Sequence, residues 1–285
     1  MKVSVLMPTY NHVKTISEAI ESFLMQKCDF EIELLIGNDA STDDTLKIAQ
    51  SYSEKFSKKI RILHHDENIG LLKNYKSLID IALGEYFAIL ESDDYWTSPY
   101  KLQNQVDFLD KNPNVGISFT RWDRLKDGII TPKGDDAFKL ITKHPFSLYE
   151  RFLLRNIIKS PTVIFRKSFF VKYCDINEYI KLNFSTFDYP VWLSLIRNSG
   201  VYFMNESTAV YRYLSSSISN SNDFEKKIEF ENNISIIRKY IISLYGKGNL
   251  SLFQIKFREA VIKSRIAFRN KKIILSIYIF WKELI

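Results

Sequence analysis

With only two cysteines in 285 residues, Cys28 and Cys174, the chain has no disulfide framework, and neither thiol has a partner at metal-type spacing. Both read as reduced, small, buried hydrophobes. No window approaches the ~18–20 uninterrupted apolar residues of a membrane span; the longest candidate, Ile273 to Trp281, is about half that, which limits it to a peripheral contact. The opening Lys2-Val3-Ser4-Val5-Leu6-Met7-Pro8 is broken by Pro8 too early for a secretory signal, so the expected location is the cytoplasm. Internal repeats and low-complexity tracts are missing too. Beyond Asp223 glycine and proline nearly vanish, leaving Gly246 and Gly248 as the only breaks.

What is present suits a packed globular protein: 46% hydrophobic and 26% charged residues. The length allows one large domain with an appendage. The net charge of +7 points to an anionic partner, whether nucleic acid, a phospholipid surface or a diphosphate.

The first half repeats one pattern, a short Val/Ile/Leu-rich run ending in a polar turn and then a stretch with helical spacing. Val3–Met7 leads to 15–26, Ile32–Ile36 to 42–52, Ile60–Leu63 to 69–82, and Tyr86–Leu90 to 99–109. Such alternation predicts an α/β fold with a mostly parallel central sheet flanked by helices. Ser41-Thr42-Asp43-Asp44 and Ser98-Pro99 read as helix starts. Further strands are expected at 115–119, 162–165, 201–204 and 208–213, and a helix at 190–197. The segment 121–143, with Gly128, Pro132 and Gly134, reads as a hairpin or mobile loop. From 221 to 285 amphipathic helices form a C-terminal helical extension, the last pair at 252–268 and 271–284.

In open parallel sheets, ligands bind at the carboxyl ends of the strands. Three of those ends carry polar groups: Pro8-Thr9-Tyr10-Asn11, Gly37-Asn38-Asp39-Ala40-Ser41 and Glu91-Ser92-Asp93-Asp94. The last is a three-carboxylate cluster directly after a hydrophobic strand. Like charges packed together call for a cation, and hard oxygen ligands suit Mn2+ or Mg2+. A solvated acidic turn is the competing reading of the same residues. His12, His64 and His65 read as satisfied or exposed histidines. Tyr95 and Trp96 read either as a sugar-stacking wall or as core packing at a strand end.

The string Val5-Leu6-Met7-Pro8-Thr9-Tyr10-Asn11, then Ile36-Gly37-Asn38-Asp39-Ala40-Ser41-Thr42-Asp43-Asp44-Thr45, then Asn68-Ile69-Gly70, then Gly84-Glu85-Tyr86 leading into Glu91-Ser92-Asp93-Asp94, resembles the inverting family 2 glycosyltransferases of GT-A fold. The resemblance is strong over 1–120 and weaker over 160–217. It implies a catalytic domain over 1–220, with a nucleotide-sugar half (1–120) and an acceptor half (121–220), followed by the extension 221–285. It implies that Pro8, Thr9, Tyr10 and Asn11 hold the nucleotide base, that Asp39 accepts a hydrogen bond from uracil, and that Asn68 and Lys73 line the rest of the pocket. Glu91 approaches the ribose or metal shell with Ser92 beside it in the donor site, Asp93 holds the metal with Asp94 as a supporting ligand or a sugar contact, and Arg212 either offers planar donors to the diphosphate or is a surface or structural arginine, with Ser215–Ser219 closing over the donor phosphates. Glu91 departs from the family's aspartate by one methylene. Asp188, in Thr186-Phe187-Asp188-Tyr189-Pro190-Val191-Trp192, matches the position of the catalytic base, and as Asp before Tyr-Pro it also suits a helix start.

The implied function is a metal-dependent inverting hexosyltransferase using a UDP-sugar, placed in bacterial surface polysaccharide (O-antigen or capsule) assembly on an undecaprenyl diphosphate-linked acceptor, with no nucleic acid as partner. The C-terminal region mixes Lys256, Arg258, Lys263, Arg265, Arg269, Lys271 and Lys272 with Phe253, Phe257, Phe268, Tyr278, Phe280 and Trp281. It suits either an anionic membrane, which would place the protein peripherally at the inner face of the cell membrane, or packing on the domain with a basic face in solvent. Two other functions fit parts of the pattern: a non-catalytic nucleotide-sugar or anion binder, and a sugar nucleotidyltransferase. The latter calls for a glycine-rich loop after the first strand, where this chain has Pro8-Thr9-Tyr10-Asn11.

Overall fold

The computed structural model describes residues 1–133, 147–214 and 223–284. The segment 134–143, the Ser215–Ser219 stretch and the expected 220/221 boundary lie outside the described residues. The chain divides into two compact units, Met1–Lys139 with Ile158–Arg212, and Leu140–Ile157 with Tyr213–Ile285.

The first unit is built on a nine-stranded mixed sheet. Strands β1 (Val3–Thr9), β2 (Ile32–Asn38), β3 (Ile60–His64) and β4 (Tyr86–Ile89) run parallel in the order β3-β2-β1-β4. Helices α1 (Ile16–Leu24), α2 (Thr45–Lys55) and α3 (Leu71–Ile81) connect them. Every residue of β1 and β2 is buried, as parallel strands covered on both faces require. Val3, Val5, Met7, Leu34 and Ile36 pack in one cluster with Ile16, Ala19, Ile20 and Phe23 of α1. Tyr75 and Leu78 of α3 are buried as well.

Past β4 the sheet changes direction. A short β5 (Tyr95–Trp96) and α4 (Lys101–Lys111) lead to β6 (Val115–Lys126) and β7 (Ile129–Lys133), which form the expected hairpin. Chain segment 147–157 contains α5 (Leu148–Leu154). Then β8 (Ile164–Arg166) inserts antiparallel between β4 and β6. Helices α6 (Lys167–Tyr173), α7 (Ile176–Lys181) and α8 (Asp188–Asn198) precede β9 (Gly200–Arg212), which pairs parallel with β6 and antiparallel with β5. The two strands expected over 201–213 are therefore one, kept continuous across polar residues 205–207 by irregularities in the β6 register.

Local chemistry sets the loop ends. Gly37 has no room for a Cβ, which would lie 2.0 Å from Asn74 Oδ1. This close approach lets Asn74 Nδ2 donate to the Gly37 carbonyl at 2.8 Å, tying α3 to the end of β2. At α2 the capping role falls to Asp43, whose carboxylate accepts from Thr45 N at 3.0 Å and also from Val13 N at 3.2 Å. Ser98 does not cap α4, which begins at Lys101; its hydroxyl donates to Glu206 instead.

The second unit contains α5 and the helices α9 (Phe224–Tyr245), α10 (Leu252–Arg269) and α11 (Ile273–Leu284). Reciprocal capping boxes start α5 (Ser147/Glu150) and α10 (Ser251/Gln254). Arg238 of α9 donates to the Leu153 carbonyl and pairs with Glu259 of α10, both side chains almost wholly buried. The expected helical extension is thus joined within its own unit by α5, from a segment read as part of the acceptor half.

Candidate active site

The loops after β1 and β2 clasp each other. Asn11 and Ala40 adopt left-handed backbone conformations, at φ 57° and 55°. Asn11 N donates to Ser41 Oγ at 3.0 Å, and Thr42 N returns a bond to Asn11 Oδ1 at 2.8 Å. The loop after β4 is locked to the first by Ser92, whose buried hydroxyl donates to Thr9 Oγ1 at 2.7 Å and lies 2.6 Å from His12 Nδ1. Thr9 and Ser92 therefore position loops from within. Pro8 is the buried last-but-one residue of β1, while Tyr10 is exposed beside Asn11.

Asp39 is likewise buried. Its two carboxylate oxygens accept from Ile69 N at 2.8 Å and Gly70 N at 3.0 Å, and Asn68 Nδ2 donates to its carbonyl at 3.3 Å. These bonds hold the start of α3, where Gly70 turns the chain at φ 86°. Lys73 stands exposed on the first turn of that helix.

Beyond β4, Glu91, Asp93 and Asp94 converge, with one oxygen of each lying within 4.8 Å of the others. Tyr75 donates to Glu91 Oε1 at 3.1 Å. Asp94 is fully buried; one oxygen accepts from the Arg212 backbone at 2.7 Å, and Oδ2 has no hydrogen-bond partner. Burial first, and then the charges of Asp93 and Asp188, push the Glu91 carboxyl up to about 8. Burial and then Asp93 and Glu91 raise Asp94 well above the ordinary carboxylate range, against the Arg212 N–H and Lys159. Negative charge concentrated this way, with an orphaned buried carboxylate oxygen among hard donors, fits a divalent cation.

Arg212 serves this cluster from behind. Its guanidinium donates to the Asp93 carbonyl at 2.8 Å, pairs with Glu18 and lies over the Tyr95 ring at 5.1 Å. Those contacts fix the turn that carries the acids, as the structural reading of Arg212 expects. Trp96 is core, with its indole N–H on the Pro161 carbonyl at 2.7 Å.

Asp188 opens α8 and meets the cluster from the other half of the unit. Its carboxylate accepts from Tyr189 N at 2.7 Å and from the Thr186 hydroxyl. The residue before it, Phe187, stacks on Tyr75 at 4.1 Å, and the Asp188 charge acts on both Tyr75 and Glu91. Tyr75 thus touches both sides of the site, through its hydroxyl and its ring.

Two contributors carry no sequence signal. Tyr75 reads as an apolar-face residue of α3. Lys159 precedes a short turn of helix at Ser160–Thr162, with its ammonium 4.3 Å from the Tyr211 ring and 5.7 Å from that of Trp122. Its positive charge lowers both Glu91 and Asp94.

The profile of Glycosyl transferase family 2 matches residues 4–173. A putative teichuronic acid biosynthesis glycosyltransferase, TuaG, of Bacillus subtilis is 31% identical over 221 residues, covering 77% of this chain and 82% of TuaG. An uncharacterized protein of Mycobacterium tuberculosis is 31% identical over 215 residues, 74% of this chain; the chain spans 58% of that relative's length. Among solved structures, Staphylococcus aureus TarS 1-349 in complex with UDP-GlcNAc superposes with a TM-score of 0.66 at 19% identity, covering 100% of this chain and 82% of that one. The mannosyltransferase PcManGT from Pyrobaculum calidifontis, in complex with GDP-Man and Mn2+, gives 0.59 at 13% identity, covering 99% and 86%. At such identities the two structures establish a common fold, GT-A.

Proposed function

The chain belongs to glycosyl transferase family 2, and from that premise we propose that it transfers a hexose from a UDP-sugar to an acceptor hydroxyl with inversion at the anomeric carbon. The observation that carries this reading is the stack of Phe187, the residue before Asp188, on Tyr75, whose hydroxyl bonds Glu91; it brings Asp188 near enough for its charge to act on Glu91 from a separate element.

Each half of the site has its own task. Asp93 and Asp94 would hold Mn2+ or Mg2+, with Glu91 at the edge of the shell; such an ion supplies charge neutralisation for the diphosphate. Asp39, Asn68 and the loop of Thr9, Tyr10 and Asn11 form the side that receives the nucleoside. Asp39 already uses one lone pair of each oxygen on backbone N–H groups, and the remaining pairs are the acceptors a uracil N–H needs. Asp188 takes the proton of the acceptor hydroxyl as its oxygen attacks the anomeric carbon. The bond from that carbon to the diphosphate breaks, and the nucleoside diphosphate leaves with the electron pair. Lys159 offers a cation to that growing charge.

The teichuronic acid biosynthesis assigned to TuaG and the TarS complex with UDP-GlcNAc favour a UDP-sugar and a place in surface polysaccharide assembly, with a saccharide on a lipid diphosphate carrier as acceptor. The stereochemistry tests the reading. Proton NMR of the product from an α-linked UDP-sugar is expected to show a β linkage. Asp188→Asn is expected to reduce turnover by ~10²–10⁴ while UDP binding persists. A retained α configuration, or full turnover in that variant, contradicts the assignment.

A further inference from the structure

The hairpin of α10 and α11 carries polar contacts between its helices: Ser264 Oγ to Ser276 Oγ at 2.8 Å, Ser276 Oγ to the Ser264 carbonyl at 3.0 Å, and the buried Lys263 ammonium to Glu283 at 2.8 Å, beside a ring contact of Phe257 with Phe280. Ser276 is the buried residue of α11, whereas Ile273, Ile274, Ile277, Tyr278 and Trp281 are exposed, Ile274 to 86% and Trp281 to 61%. Their spacing of i, i+1, i+4, i+5 and i+8 puts all five on one face of the helix.

On α10, Phe253, Phe257 and Phe268 share a second exposed stripe. Aromatic rings join the two. Phe253 lies 5.8 Å from Phe257, Phe257 lies 5.9 Å from Phe280, and Phe280 lies 5.9 Å from Trp281. Scattered apolar side chains on a surface are ordinary, but a continuous aromatic and aliphatic sheet across two helices marks something that covers it.

The charges beside the patch choose the cover. Within 251–284 the only acids are Glu259, paired with Arg238, and Glu283, paired with Lys263. The exposed charges of that stretch are all cationic: Lys256, Arg265, Arg269, Lys271, Lys272 and Lys282, with Lys272 also reaching Glu225 at 3.3 Å. A second copy docked through this face would bring like charges together. A layer of anionic headgroups neutralises them while its acyl boundary receives the rings.

We propose that the α10–α11 hairpin is a monotopic docking surface for an anionic phospholipid bilayer, lying in the interface with Phe253, Phe257, Ile274, Ile277, Tyr278 and Trp281 inserted and Arg265, Arg269, Lys271 and Lys272 among the phosphates. At 12 residues α11 is about 18 Å long, too short to cross the ~30 Å hydrocarbon core, and no described helix is long and apolar enough to span a membrane. Vesicle binding is read without turnover.

The test is cosedimentation of the full chain with phosphatidylcholine vesicles and with vesicles that also contain phosphatidylglycerol, at low and high salt. Binding is expected only to the anionic vesicles and is expected to weaken with salt. Ile274→Glu combined with Trp281→Glu, and separately Arg269→Glu combined with Lys271→Glu, are each expected to weaken it by about tenfold or more, with unchanged circular dichroism because these side chains are exposed. The proposal is overturned by no binding to anionic vesicles, or by equal binding to both kinds. It is also overturned if light scattering shows a dimer that the apolar double variant dissolves while vesicle binding stays unchanged.

Discussion

Lys159 is held over two aromatic faces, 4.3 Å from Tyr211 and 5.7 Å from Trp122, and its charge reaches the carboxyls of Glu91 and Asp94. A cation restrained in that way loses little freedom when it meets an anionic leaving group. Lys159→Met, which keeps the length and removes the charge, is expected to weaken UDP binding by about tenfold in calorimetry. Unchanged affinity would put Lys159 outside the donor site. Nothing in the sequence marks this lysine: it sits in no motif, and its place depends on β8 inserting beside β4. The acids are the opposite case. Glu91, Asp93 and Asp94 follow a strand in the chain itself, so their convergence is a local property that can be read from spacing. The functions of Arg212 and Ser92 depend on contacts with Glu18 and His12, partners that only the folded chain supplies.

At the scale of elements, α4 carries a fully buried lysine. Lys101 donates to Gln105 Oε1 at 2.8 Å and lies 4.7 Å from the Trp96 ring, and burial pushes its ammonium down to about 7. The unfolded chain, with an ordinary lysine near 10.5, binds this proton more tightly than the fold does. Below pH 7 both states are protonated and the fold carries the full penalty; between about 7 and 10.5 the unfolded state binds more protons, so this group makes stability rise with pH. Urea titrations are expected to show the stability of the wild type gaining on Lys101→Met between pH 7 and pH 9, whatever constant cost the orphaned Gln105 adds. A difference independent of pH would contradict this.

In the second unit, Arg238→Met strands Glu259 in the interior of the α9–α10 pair. The expected cost is ~3–5 kcal/mol, measured by denaturation, whereas Glu259→Gln together with Arg238→Met is expected to recover part of it. A neutral effect for the single change would mean that water reaches Glu259. Periodicity located α9–α11, but which faces they bury was not legible. Lys263 reads as part of a basic face until its partner Glu283 is known, and the pattern of α11 leaves open whether its apolar face packs or stays exposed, as it is here.

The molecule as a whole joins a parallel, loop-bearing half to an antiparallel return. The parallel half was legible because each βα step is closed locally by burial and turn chemistry. The insertion of β8, the single long β9 and the recruitment of α5 to the helical unit are long-range pairings that a pattern along the chain does not encode. Family membership and the acid cluster lead to one proposal, that this chain transfers a sugar from a nucleotide donor, with Asp93 and Asp94 holding a metal at the diphosphate and Asp188 serving as the base.

The most direct measurement is release of nucleoside diphosphate from a panel of UDP-sugars in Mn2+ or Mg2+, with a saccharide acceptor mixture present. The account predicts that at least one UDP-sugar yields UDP only when the metal is supplied, and that Asp93→Ala, still folded by circular dichroism, lowers the rate by ~10³ or more. Release that persists in chelator, or that is unchanged in Asp93→Ala, would contradict it.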